Sequence, residues 1–357
     1  MIARLFPAAL QGEVTAPPSK SDAQRLLIAA WLSGDIDRVQ LSGAQSADIA
    51  ACMRCLHALG TPEPCLDCGD SGAVLRFLTP VAAALGGARM TGSHQLAARP
   101  MGALRGGVYT LPGDISSQFI SGLLFALPLL GQDSQIRLTS PLRSAGYVDM
   151  TRDVLRHFGV RSMRTEDGFS VPGGQTYRLP ADNLTPEGDW SGAAVWLAVN
   201  ALGGRIALRG LKDDSLQSDR RMAQLACALP GTVDIADIPD LLPLLSVLAA
   251  FQPAATRFTH AGRLRYKESD RLTGCARLIC DLGGLALAEE DALLVQPRPL
   301  TGGETDAHGD HRMAMAAAAA ACVCPQGVLL RGAECVDKSY PAFWADYKRL
   351  GGQMHVL

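Results

Sequence analysis

The chain has 357 residues, of which 48% are hydrophobic, 19% charged and 5% aromatic, with a formal charge of −2. That length exceeds one ordinary core and predicts two domains, and the composition is that of a globular chain, not a disordered one. A near-neutral balance without a block of like charges excludes a broad nucleic-acid surface or a charged tail, so any anion site must be local.

The opening stretch MIARLFPAALQGEV has no long apolar core with a small-residue cleavage site, and no segment reaches the roughly 18 apolar residues of a membrane span. A cytoplasmic protein with no membrane or nucleic-acid partner is therefore the expectation. Ten cysteines without an export signal read as reduced thiols.

Taken in order, the predicted elements repeat one pattern. Small polar or charged residues lead into an apolar helical run that closes on Gly. SKSDAQRLLIAAWLSG is the first example, followed by GDSGAVLRFLTPVAAALGG, SSQFISGLLFALPLLG, GDWSGAAVWLAVNALGG and KESDRLTGCARLICDLGG. Ser and Asp at the front supply N-cap oxygens, and Gly at the back supplies the left-handed residue that ends a helix. Between these helices lie short strand-like pieces, SQIRLTS, GRIALRG and ALLVQPR, bounded by Gly, Pro or polar residues. MAMAAAAAACVC has the length of a buried helix whose small side chains admit close neighbours. The fold class is α/β (α+β) with repeated units.

Two C-x-x-C pairs, Cys52/Cys55 and Cys65/Cys68, have a spacing that resembles a structural zinc site. Against metal, the first pair falls inside ADIAACMRCLHALG, an amphipathic helical pattern, and the gap between pairs is short for a zinc ribbon. Buried or half-buried thiols are the simpler reading, and no metal is assigned. His57, His157 and His308 read as surface or packing residues.

The chemistry-bearing residues gather at the helix fronts: Lys20, Ser21 and Arg25; Asp70, Gly72 and Arg76; Ser116, Ser117 and Gln118; Asp240; Lys267, Glu268 and Arg271; Asp310, His311 and Arg312. A helix N-terminus carries about half a positive charge and unpaired N–H groups, so each such end is a partial anion site. One Arg in a first turn is ordinarily just solvated; six helices sharing the habit point to a common anionic ligand. Carboxylates among the bases would repel that ligand, so their presence indicates proton transfer as well as binding.

These residues, with PPSKSDAQR, GDSGAVLRFLT, ARPMGAL, SSQFISGLL, SAGYVDMT, EGDWSGAAVWLA, IPDLLPLLSVLAA, KESDRL, DHRMAMAAA and VDKSYPAFW in that order, resemble the enolpyruvyltransferase family. Within it, the match is to the 3-phosphoshikimate 1-carboxyvinyltransferase (5-enolpyruvylshikimate-3-phosphate synthase) branch. The resemblance implies two similar lobes of repeated βαβαββ units, an inside-out α/β barrel, here shortened. Residues 1–15 with 188–357 would form one lobe and 16–187 the other, with the active site in the cleft between them. It also implies transfer of the enolpyruvyl group of phosphoenolpyruvate to the 5-hydroxyl of shikimate 3-phosphate, an addition–elimination step of aromatic amino-acid biosynthesis, by a monomer without cofactor.

Carried over by position, the resemblance assigns shikimate 3-phosphate to Lys20, Ser21, Arg25, Ser116, Ser117, Gln118, Ser144, Tyr147, Asp240 and Lys267. Phosphoenolpyruvate falls to Lys20, Gly72, Arg99, Gln118, Arg271, Arg312 and Lys338, where Arg forks suit carboxylate and phosphate oxygens. Asp240 would face the attacking hydroxyl and Glu268 the methylene carbon, with Lys20 and Lys338 completing the catalytic set. The chain departs from the pattern at Asp70 and Arg263, both family Asn positions. It is shortened between Arg99 and Ser116, between Asp219 and Asp240, and at TPEPCLDC. A non-catalytic anion-binding homologue and enolpyruvyl transfer to a nucleotide sugar are the alternatives; the position of His94, where the sugar enzymes carry Cys, speaks against the second.

Overall fold

The computed structural model describes residues 1–92 and 103–357, so Arg99 and His94 lie outside the described residues. The chain forms two compact units, Met1–Pro17 with Gly188–Leu357, and Pro18–Glu187. Each encloses a separate hydrophobic core.

The repeated pattern of the sequence is a repeated βαβαββ motif. In the Pro18–Glu187 unit, strands Val108–Leu111, Ser134–Leu138, Met163–Arg164 and Gly168–Val171 alternate with helices Ser117–Ala126 and Ala145–His157. Their sheet order is first, second, fourth, third, with one parallel pair followed by two antiparallel ones. The other unit repeats this order with Thr232–Asp234, Thr256–Thr259, Leu285–Ala288 and Ala292–Gln296 around helices Leu242–Ala249 and Arg271–Asp281. A third copy uses Gly303–Asp306, Val328–Arg331 and Gln353–Val356, and takes its remaining strand, Ile2–Phe6, from the start of the chain. Among the described residues the other repeats are reduced to parallel strand pairs, Cys65–Asp67 with Arg89–Thr91 and Gln11–Thr15 with Arg205–Arg209. The α/β class with abbreviated units is the observed one.

Caps fall where the sequence puts them. The side chains of Ser19, Ser46, Ser71, Ser116, Asp189, Asp270 and Asp310 each accept from a backbone N–H in the first turn of the helix that follows. Helix His311–Ala321 is buried along its whole length, as an apolar helix without a polar face must be. No described helix is long and apolar enough to cross a membrane.

Cys52 and Cys55 are buried on helix Ala47–Leu59, and the Cys55 and Cys68 sulfurs are 4.0 Å apart. The Cys65 sulfur instead takes a hydrogen bond from Arg89 Nε at 3.3 Å. No group of three or more His, Cys, Asp or Glu among the described residues is arranged to hold a metal. Burial first, then the neighbouring Cys55 and Asp48, pushes the Cys52 thiol up.

Helix Gly72–Ala84 contains Pro80, which has no N–H to give the Arg76 carbonyl four residues back. Gly122 of helix Ser117–Ala126 packs onto that turn so closely that a Cβ there would lie 2.4 Å from the Arg76 carbonyl oxygen and 2.9 Å from Pro80 Cγ. Because the nearest atom is backbone, the two helices would have to separate. Gly122→Ala should therefore destabilise by about 1–3 kcal/mol despite the better helix propensity of Ala. Gly131→Ala, at a position with nothing within 4 Å, should be near neutral in the same urea-unfolding series.

Candidate active site

In the unit containing both chain termini, the site is organised by one guanidinium. Arg271, the first residue of helix Arg271–Asp281, is 1% exposed and points all three nitrogens at carboxylates. Nε donates to Asp310 Oδ2 at 2.8 Å and Nη2 to Asp310 Oδ1 at 3.2 Å, a bidentate fork. Nη1 donates to Asp240 Oδ1 at 2.7 Å, and Nη2 also to Glu268 Oε2 at 2.9 Å. Asp310 is fully buried and serves two ends at once, because it also caps helix His311–Ala321 by accepting from Arg312 N at 2.9 Å. Ser269 adds a hydroxyl bond to Asp310 Oδ2 at 3.2 Å.

Around this centre, Lys267 Nζ lies 3.9 Å from Asp240 Oδ1 and Arg312 Nη2 lies 3.6 Å from Asp240 Oδ2. Arg312 is itself fixed by donating Nη1 to the Ser191 carbonyl at 2.8 Å. Burial acts to raise the carboxyl pKa of Asp240, but the charges of Lys267, Arg271 and Arg312 outweigh it and hold the group well below its usual range. Glu268 follows the same balance: burial raises it, while Arg271, His311 and Lys267 bring it down. Burial lowers Lys267, with Asp240 opposing. Arg271 stays charged because Asp310, Asp240 and Glu268 overcome its desolvation. The cluster thus holds ionised acids against cations, able both to grip an anion and to exchange a proton.

Lys338 ends the turn Ala333–Lys338, half-buried, with no ion-pair or hydrogen-bond partner among the described residues. Arg263, on the turn Gly262–Tyr266, donates Nη2 to the Ala236 carbonyl, and its charge also bears on Lys267.

In the Pro18–Glu187 unit the second group of sequence-predicted residues assembles at helix starts. Lys20 Nζ pairs with Asp48 Oδ2 at 2.9 Å, joining helices Lys20–Leu32 and Ala47–Leu59. Gln24 Nε2 reinforces the joint by donating to the Asp48 carbonyl at 3.3 Å. Arg25 is 2% exposed and turns its donors inward: Nε to Thr151 Oγ1 at 2.8 Å, Nη1 to the Ser21 carbonyl at 2.5 Å, and Nη2 to the Tyr147 carbonyl at 2.8 Å. Its guanidinium lies 5.1 Å from the Phe77 ring centre, and burial lowers its pKa to about 10. Arg76 Nη1 donates to Gln118 Oε1 at 2.7 Å, tying the Gly72 helix to the Ser117 helix. Ser144, at the mouth of helix Ala145–His157, has φ +55°, a left-handed conformation that a non-glycine residue adopts at a cost. Asp70 is exposed in the turn before Gly72.

Asp48 and Asp219 lie outside the quoted motifs, Thr151 and Ser191 lie within them without an assigned role, and Asp310 reads in the sequence only as a helix-front acid. Asp48 resembles any acid in a first helical turn, and Thr151 any mid-helix hydroxyl. Only tertiary packing pairs them with Lys20 and Arg25.

A family model for EPSP synthase (3-phosphoshikimate 1-carboxyvinyltransferase) matches residues 6–107, 102–229 and 227–347. The 3-phosphoshikimate 1-carboxyvinyltransferase of Clostridium kluyveri is 36% identical over 419 aligned positions, covering 98% of this chain and 97% of the relative. That of Clostridium acetobutylicum is 34% identical, covering 99% and 98%. The alignments run longer than the 357 residues here, the excess being positions of the relatives that this chain lacks. An EPSP synthase structure from Acinetobacter baumannii superposes with a TM-score of 0.77 at 20% identity, covering 99% of this chain and 100% of that one. The enolpyruvyl transferase NikO from Streptomyces tendae superposes at 0.76 and 15% identity, covering 99% and 98%. The two structures establish the fold, and the full-length relatives with the family model establish more: the chain belongs to the EPSP synthase (3-phosphoshikimate 1-carboxyvinyltransferase) family.

Proposed function

We propose that the chain transfers the enolpyruvyl group of phosphoenolpyruvate to the 5-hydroxyl of shikimate 3-phosphate, giving 5-enolpyruvylshikimate 3-phosphate and inorganic phosphate. The observation that carries this reading is the pair of carboxylates, Asp240 and Glu268, fixed on one buried guanidinium and flanked by Lys267 and Arg312. A site for binding alone has little use for two acids held among cations.

Each unit carries a group of residues whose chemistry suits the oxygens of polyanionic substrates. Asp240, kept ionised by its three cations, accepts the proton of the attacking 5-hydroxyl. Glu268 is ionised in the protein alone; when substrate anionic groups engage Lys267, one of the cations that hold it down, its pKa rises and it can deliver a proton to the methylene carbon. The hydroxyl oxygen then bonds to the adjacent carbon, forming a tetrahedral ketal phosphate. The phosphate departs with the proton that Asp240 took from the hydroxyl, and return of a methyl proton to Glu268 restores the double bond. Lys338 neutralises the leaving phosphate, and Arg312 and Arg99 are each assigned to phosphoenolpyruvate by the resemblance. In the other unit Lys20, Ser116, Ser117, Gln118 and Ser144 hold substrate oxygens, while Arg25 keeps Ser21 and Tyr147 in place. We also take the protein to act as a monomer in the cytoplasm.

The assay mixes the purified chain with both substrates and follows phosphate release. Asp240→Asn and Glu268→Gln should each lower kcat by about 10²–10⁴-fold, the usual worth of a general acid or base, with circular dichroism unchanged. No release from the unaltered protein under any ratio of substrates would overturn the reading, and release with a nucleotide sugar in place of shikimate 3-phosphate would transfer it to the sister reaction.

The Arg271 cluster gives a second test. Removing one partner of a buried ion network leaves its counter-charges stranded, at about 3–5 kcal/mol, so Arg271→Met should lose that much stability at neutral pH. Asp240 and Glu268 have folded pKa values below their unfolded ones, so the stability they confer is complete above the ordinary carboxylate range of about 4 and is lost as pH falls through the folded values. The gap between wild type and Arg271→Met in urea should therefore narrow with acidification below about pH 4; a gap constant with pH would contradict the network.

A further inference from the structure

We propose that Asp219, acting through Ser191, is a positioning residue whose charge state sets how much of the Arg312 cation is left for an anionic substrate. The proposal rests on the enolpyruvyl-transfer reading of the same site.

Asp219 lies on the turn Ser218–Arg221, outside every motif that carries the resemblance, and is 1% exposed. Its Oδ2 accepts a hydrogen bond from Ser191 Oγ, while its buried Oδ1 has no partner among the described residues. Ser191 uses its other oxygen, the backbone carbonyl, to hold Arg312 Nη1 at 2.8 Å, and Arg312 in turn reaches Asp240. One residue, at the start of helix Trp190–Ala201, is thus bonded to both the carboxyl and the guanidinium.

Among the described residues, Asp219 feels charges from three other elements. Asp189 comes from the same helix start as Ser191, Asp240 from the turn before helix Leu242–Ala249, and Arg312 from helix His311–Ala321. Arg220 and Arg221, on its own turn, are exposed. A half-bonded carboxylate in such a place is costly when ionised and tolerable when protonated. Burial, and after it the charge of Asp240, raises the Asp219 pKa to about 7 against the pull of Arg312 and Ser191. The acid therefore changes charge in the range where the enzyme would work. While it is neutral, it takes no share of the Arg312 charge; once ionised, it adds an anion to Asp240 beside Arg312 and weakens the positive field that an incoming carboxylate or phosphate meets.

The test measures KM for phosphoenolpyruvate and kcat across neutral pH for wild type and Asp219→Asn, whose amide still accepts from Ser191 but cannot ionise. The wild-type to variant ratio of KM should rise on the order of fivefold as pH passes through about 7, the scale of one partly screened charge interaction. The kcat ratio should stay flat. Titration of the substrates' own phosphates is common to both proteins and cancels in the ratio. A KM ratio independent of pH overturns the proposal. Ser191→Ala supplies a second variant: it removes the hydroxyl bond that favours the ionised form but keeps the carbonyl for Arg312, so the inflection should move to higher pH.

Stability separates failure of this proposal from failure of the enolpyruvyl reading. A carboxyl whose folded pKa lies above its unfolded value destabilises the fold increasingly as pH rises between the two. Wild type should therefore lose stability relative to Asp219→Asn between about pH 4 and pH 7, whether or not the substrates are turned over. If phosphate release is absent but this slope is present, the substrate assignment fails and Asp219 remains a neutral buried acid at low pH. A flat difference rules out the titration itself.

Discussion

The site depends on Arg271 being unable to leave the protein. A guanidinium at 1% exposure would be intolerable alone, yet here Asp310 binds it bidentately from below while Asp240 and Glu268 share its remaining donors. The arrangement is asymmetric in a useful way. Asp310 is fully buried and fixed at a helix cap, whereas the Asp240 and Glu268 side chains keep 22% and 25% of their surface exposed. The buried acid secures the cation; the two half-covered acids are held at the surface of the cluster, ionised and directed. Without Arg271 these carboxylates would repel one another, and without Asp310 the guanidinium would be free to follow whichever acid or ligand was nearest.

Much of this was legible in the sequence because the determinants are local. A Ser or Asp followed by an apolar run and a terminal Gly is a capped helix by short-range physics alone, and the caps at Ser19, Ser71, Ser116, Asp189, Asp270 and Asp310 are found where that rule puts them. Similarly, the six-residue crowd Lys267–Leu272 resolves into separate duties: Asp270 caps through Thr273 N, Ser269 supports Asp310, and Glu268, ahead of the helix, pairs with Arg271 at its first position. What the sequence could not supply were pairings between distant segments. Nothing near Lys20 announces Asp48, and nothing near Arg25 announces that its donors would close on Thr151 and the Tyr147 carbonyl. A cation at a helix front looks the same whether it waits for a ligand or is already committed to the fold.

That distinction sorts the basic residues by role. Arg25 and Arg271 have their donors occupied within the protein and act as fixed charges and struts. Lys338 stands without a partner among the described residues, and Lys267 keeps a loose 3.9 Å pairing. A polyanion brought to such a surface gains most from the second kind, since a donor already bonded must first give up a partner. The nearly neutral chain therefore needs no general basic field: a few uncommitted cations, backed by committed ones, supply the local potential.

The shortened repeats follow from the same geometry. Site residues occupy helix starts, and a helix start is positioned by its cap and by the strand or turn that feeds it, not by the far strands of a sheet. Among the described residues the pair Cys65–Asp67 and Arg89–Thr91 has no antiparallel strands beside it, yet it still delivers the chain into the capped turn at Ser71 and Gly72. The core of that unit is closed by helix contacts, among them the tight seat of Gly122 over the Pro80 turn, and by the buried thiols of Cys52, Cys55 and Cys68. Trimming an edge strand removes burial at the periphery; trimming a helix start would remove the anion-facing groups themselves.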